Sequence, residues 1–158
     1  MYDCMKERFT LQLAAVDCIP VLLFSATAIV LAGKIGHPLF IIGAVLCVCA
    51  GLGKVIWKLI LAMRERDIRV LGAQLRYVMP IGFLMMIVGA SQSETTSQLL
   101  RQTVKMPSIL FFAAAGIGII LMFVCGKKFD RKDILGNWIE EIINCFVQAL
   151  VLAGVILL

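Results

Sequence analysis

Long apolar blocks separated by short charged segments are what most constrain this chain. Residues 9–31, 38–62, 107–126 and 134–158 read as apolar helices. At about 1.5 Å per residue each is long enough to cross a hydrocarbon core of roughly 30 Å. The chain is 61% hydrophobic and only 16% charged, with a mean hydropathy of +1.00. Soluble domains are far less apolar and carry more charge. The reading is an all-α, multi-pass membrane protein: one transmembrane domain over residues 1–158, with the lipid bilayer as its first partner and the cell membrane as its expected location.

The remaining block sets the number of crossings. Tyr77 to Ala90 is too short to cross, and extension back to Val70 gives a crossing length but brings Gln74 and Arg76 inside. The longer segment, residues 70–90 with a bend at Pro80, predicts a bundle of five transmembrane helices. Pro20 predicts a kink in the first helix, and Pro38, after Gly33-Lys34-Ile35-Gly36-His37, opens the second. The polar stretch Ser91 to Met106 reads as the longest extramembrane loop. Asp17-Cys-Ile-Pro20 and Pro38 are echoed by Arg76-Tyr-Val-Met-Pro80 and Pro107, which suggests a parallel repeat of helices one and two in helices three and four.

The first helix imitates a secretion signal, with Lys6 and Arg8 ahead of an apolar core and Ala26-Thr27-Ala28 as a cleavage site. Asp17 inside that core, and apolar sequence beyond Ala28, argue against cleavage. Basic residues give an orientation. Lys6, Arg8, Lys58, Arg64, Arg66, Arg69, Arg76, Lys127, Lys128, Arg131 and Lys132 fall on one side, and Lys34, Arg101 and Lys105 on the other. That asymmetry predicts a cytoplasmic N-terminus and, with five crossings, an outer C-terminus. Trp57 and Trp138 would both lie near the cytoplasmic interface. The same distribution explains the net charge of +5 without a nucleic-acid partner.

Within the last block, Asn137, Glu141, Asn144 and Gln148 recur at i, i+4, i+7 and i+11. They form one polar stripe about 16 Å long, a face that is expensive against lipid and should look inward. On the second helix Gly43, Cys47, Ala50 and Lys54 share a face, with Lys58 four residues later; its small residues suit close packing and would carry the lysine inward. Asp17, Lys54, Arg76, Glu140 and Glu141 are expected in one layer, about 5 to 10 Å to the cytoplasmic side of the helix midpoints. Each unpaired charge at mid-membrane costs on the order of 3 kcal/mol on insertion scales, and each good apolar residue offsets only about 0.5. The expected pairs are Asp17 with Lys54 and Glu141 with Arg76, with Glu140 turned to the cytoplasmic interface. Snorkelling of the basic residues to the headgroups is the competing arrangement.

Other chemistry finds less support. The cysteines form no CxxC pair, and five of the six lie in apolar blocks, as packing residues do; Cys47 and Cys49 point about 200° apart. His37 has no second ligand near it, so no metal is expected, and no cofactor is implied. Gly51-Leu52-Gly53-Lys54 is too short for a phosphate loop, and no catalytic motif or nucleophile beside a base occurs. The functional expectation is a small transporter or channel-like protein for an ion or small polar solute, with Asp17, Lys54, Arg76, Asn137, Glu140, Glu141, Asn144 and Gln148 as its binding residues and a homodimer to thicken the wall. The alternative is a non-catalytic membrane subunit whose polar helix face binds a partner membrane protein.

Overall fold

A computed structural model describes residues 11–64, 69–128 and 134–158. The basic lead with Lys6 and Arg8, and the charged residues Glu65, Arg66, Asp67 and Asp130 to Asp133, lie outside them. The described residues form six helices: α1 (Leu11–Ile35), α2 (Pro38–Arg64), α3 (Arg69–Gln92), α4 (Glu94–Thr103), α5 (Ser108–Lys128) and α6 (Ile134–Ile156). Four of them, over Ala15–Ile35, Pro38–Ile60, Ser108–Lys127 and Leu135–Ile156, are long and apolar enough to cross a membrane. α3 runs over 24 residues, about 36 Å, which is a crossing length.

The packing order differs from the chain order. α3 lies on α2, α2 on α1, α1 on α6, and α6 on α5. The last helix thus returns beside the first, and Asp17 and Glu141, each near the N-terminal end of its helix, share Lys58, so the two run parallel. α3 and α5 pack on different neighbours, so the hairpin that the parallel repeat requires does not form between them.

Glycine decides how closely the neighbours approach. A Cβ on Gly43 would sit 2.6 Å from the Gly82 carbonyl oxygen, and one on Gly89 would sit 2.4 Å from the Phe40 nitrogen. α2 and α3 therefore touch backbone to backbone, antiparallel, through the small-residue face expected on α2. Cys47, on that face, is fully buried and donates its thiol to the Met79 carbonyl at 3.7 Å, while Cys49 is exposed. Phe24 of α1 and Phe83 of α3 meet at 5.8 Å between ring centroids, so α1 and α3 touch beside α2.

The α1–α2 turn builds an apolar core at one end. Gly36 adopts φ +65° and donates its N–H to the Ala32 carbonyl, ending α1 in the left-handed geometry that glycine suits. Ala28, Ile35, Phe40 and Ala44 are buried together there, with Met86, Ala90 and Leu99 against them. Ala26 to Ala28, the apparent cleavage site, lie in mid-helix with Thr27 and Ala28 buried.

The polar stretch 91–106 is mostly helix rather than loop. Ser93 explains its attachment: the hydroxyl donates to the Ile35 carbonyl at 3.2 Å, satisfying an orphan acceptor at the end of α1 instead of capping its own helix. Leu99 then packs on the apolar core, while Leu100 and Val104 remain exposed.

The close α2–α3 contact makes a prediction. Gly43→Leu should lower the thermal stability of the purified protein by about 1–3 kcal/mol or more, since the backbone opposite cannot yield. Gly116→Ala, where nothing lies within 4 Å, should leave the melting temperature unchanged.

Candidate functional site: a charged layer between three helices

At the end opposite the apolar core, four charged groups converge from three helices. Asp17 of α1 is 2% exposed, and it receives Lys58 at 2.6 Å and Lys54 at 3.5 Å, both from α2. Lys58 also reaches Glu141 of α6 at 3.8 Å. The Asp17 and Glu141 carboxyls both lie within 4 Å of the Lys58 ammonium, which bridges them across the α1–α6 interface. One buried lysine therefore ties three helices together.

Helical geometry explains the convergence. Lys58 lies four residues after Lys54 and eleven after the buried Cys47, so all three share the inward side of α2. Asp17 lies on the same face of α1 as the buried Ala28 and Ile35, at spacings of eleven and eighteen residues. On α6, Val147 and Gly154 face α5, where a Cβ on Gly118 would meet Val147 and one on Gly154 would meet Phe112. Glu141 lies about 120° around the helix from Val147 and so turns to α1.

Two expected placements are corrected. Arg76 is exposed on α3, which does not pack on α6, so it does not pair with Glu141. Lys58 takes that place. Glu140 is half-buried and turns to α5, its Oε1 lying 3.1 Å from where a Cβ on Gly126 would be. The Asp17–Lys54 contact is as expected.

Depth is also revised for Asp17. Because α1 continues to Ile35, Asp17 lies about 9 Å from the helix midpoint rather than about 5. Lys54, Lys58 and Glu141 lie roughly 4, 10 and 6 Å from theirs, on the same side. The layer is real in register, although its members come from three helices instead of four.

Asn137, Asn144 and Gln148 are all half-buried and lie about 60–100° around α6 from the α5-facing Val147, on the same flank as Glu141. They extend polar character along α6 on both sides of the cluster. Two carboxylate oxygens in the cluster, Asp17 Oδ2 and Glu141 Oε2, are buried without a hydrogen bond, although the Lys58 ammonium lies 2.6 Å from the former. Lys54 keeps 34% of its side chain exposed, so one member of the layer reaches the surface. Among the described residues no group of three or more His, Cys, Asp or Glu could hold a metal ion. No known protein family, curated protein or solved structure matches this chain.

Lys58 lies near the end of an apolar block, where by sequence alone a snorkelling lysine fits equally well. Its shared face with Cys47 and Lys54 was the available signal.

Breaking a buried ion pair by removing one partner typically costs about 3–5 kcal/mol. Lys58→Met should lower stability by about that much in a denaturation titration of the purified protein. The double variant Lys58→Met/Asp17→Leu should recover much of the loss, whereas Arg76→Gln should change little. Equal destabilisation by Arg76→Gln would contradict the placement.

Proposed function

We propose that the protein is a small transporter or channel-like protein for an ion or small polar solute, crossing the membrane five times. The observation that carries this reading is the Asp17–Lys54–Lys58–Glu141 layer, enclosed by helices otherwise apolar enough to span. Ionisable groups inside membrane spans are expensive and commonly mark ion or substrate pathways. A purely structural pair would need two partners; here one lysine is divided between two carboxylates, an arrangement that can be redistributed when a charge arrives or leaves. The polar stripe on α6 continues the path along the helix.

The fifth crossing is α3, supported by its backbone-close packing along α2. The orientation is N-terminus cytoplasmic and C-terminus outside, with the charged layer in the cytoplasmic half. Supporting it is the excess of basic residues in the sequence on the layer's side, Lys6, Arg8, Lys58, Arg64, Arg66, Arg69, Arg76, Lys127, Lys128, Arg131 and Lys132, against Lys34, Arg101 and Lys105.

Proteoliposomes test the reading directly, loaded with a pH-sensitive dye and separately with rubidium and chloride tracers. Wild-type protein should move at least one of these above the rate of empty vesicles, and Glu141→Gln should abolish that movement while expression is retained. Unchanged flux in Glu141→Gln would count against the proposal.

One observation favours a second reading, a subunit that binds another membrane protein. Asn144 and Gln148 are half-buried rather than enclosed, and amides on a helix face can select a partner helix in lipid. Purification in mild detergent should then recover a stoichiometric second protein, lost on Asn144→Leu. Repeated isolation of this chain alone would retire that reading.

A further inference from the structure

Lys58 stands unequally between its two carboxyls, 2.6 Å from Asp17 Oδ2 and 3.8 Å from Glu141 Oε1. Asp17 has a second ammonium, Lys54, at 3.5 Å, whereas one oxygen of Glu141, Oε2, is buried with no hydrogen-bond partner. The carboxyls are brought together on one ammonium, each within 4 Å of Lys58 Nζ. Two carboxyl groups brought together resist being ionised at once, and a proton on one of them turns their repulsion into a hydrogen bond. Of the two, Glu141 has the poorer share of positive charge.

We propose that Glu141 binds and releases a single proton, that Lys58 is the partner that moves in response, and that the proton is the coupling ion of this site. This deepens the transport reading above and rests on it. On binding, a proton from water forms an O–H bond with a lone pair of the Glu141 carboxylate. Lys58, no longer drawn by a charge on Glu141, settles on Asp17, which matches the observed inequality of distances. On release the O–H electron pair returns to Glu141, Lys58 swings to it, and Lys54 remains as the partner of Asp17. The cluster is formally neutral with Glu141 ionised and carries one positive charge with Glu141 protonated, so each proton changes the electrostatic tie between α1, α2 and α6.

Among the described residues, the titratable and charged groups around Glu141 are Asp17 on α1, Lys54 and Lys58 on α2, and Glu140 and Cys145 on α6 itself. Glu140 is turned to Gly126 of α5, which carries Cys125 and Lys127 at the same end. Glu140 is thus the natural control, one residue away but outside the pair.

The full chain in lipid nanodiscs can be titrated between about pH 4 and pH 10 while infrared spectroscopy follows the C=O stretch of protonated carboxyl groups. Wild type and Glu140→Gln should show a protonated-carboxyl band that disappears as pH rises, and Glu141→Gln should lack it. Asp17→Asn provides a second variant: with both lysines freed for Glu141, the band should disappear at a pH lower by at least about one unit. A band that persists unchanged in Glu141→Gln, or fails to move in Asp17→Asn, overturns the proposal. The transport reading fails separately: a Glu141 band in a protein without proton-driven flux retires transport and leaves the proton site standing. Flux in a wild-type protein that shows no such band retires the proton site alone.

Discussion

The Lys58 ammonium between Asp17 and Glu141 is the interaction on which the arrangement of the helices depends. Apolar side chains cannot order helices within a bilayer, because lipid tails are as apolar as leucine and reward no particular neighbour. Packing of small residues and pairing of charged groups supply the order instead. Here glycine contacts hold α3 on α2 and α6 on α5. The central joint, where α1 meets both α2 and α6, carries the charges.

The molecule has two unlike ends as a result. One is closed by a short turn, an apolar core and the surface helix α4, fastened by the Ser93 hydroxyl to the last turn of α1. The other holds the charged layer, with the exposed part of Lys54 as its link to the surroundings. An end that is stapled and an end that is held by redistributable charge differ in how readily they can rearrange. Conformational change, if it follows ion binding, belongs at the charged end, where a lysine has two alternative partners.

Much of this was legible from residue order alone. The apolar blocks, the tight turn before Pro38, the small-residue face of α2 and the Asp17–Lys54 contact follow from length, glycine and helical period. Spacing within one helix cannot reveal which helices become neighbours, so Arg76, a basic residue at a suitable depth, suits Glu141 by sequence although its helix does not pack on α6. Lys58 could be placed on the correct face but not distinguished from a snorkelling lysine, since that depends on whether α6 arrives beside α1. The helix at Glu94–Thr103 was hidden for a different reason: its Ser and Thr residues resemble a loop, and its position is fixed by contacts with α1 that lie about 60 residues away in the chain.

Whether the charged layer is reached by water is the point on which the account turns, and Cys145 is placed to report it. It lies four residues beyond Glu141, about 40° around α6 and half-buried. With Cys145 as the sole cysteine, its reaction with a membrane-impermeant maleimide in nanodiscs can be timed against Ser97→Cys, a control on an exposed position of α4. Modification within about tenfold of the control rate is expected, as a thiol beside a hydrated path should show. No reaction until the bilayer is dissolved in detergent would mean a dry, packed layer and would contradict a transport role.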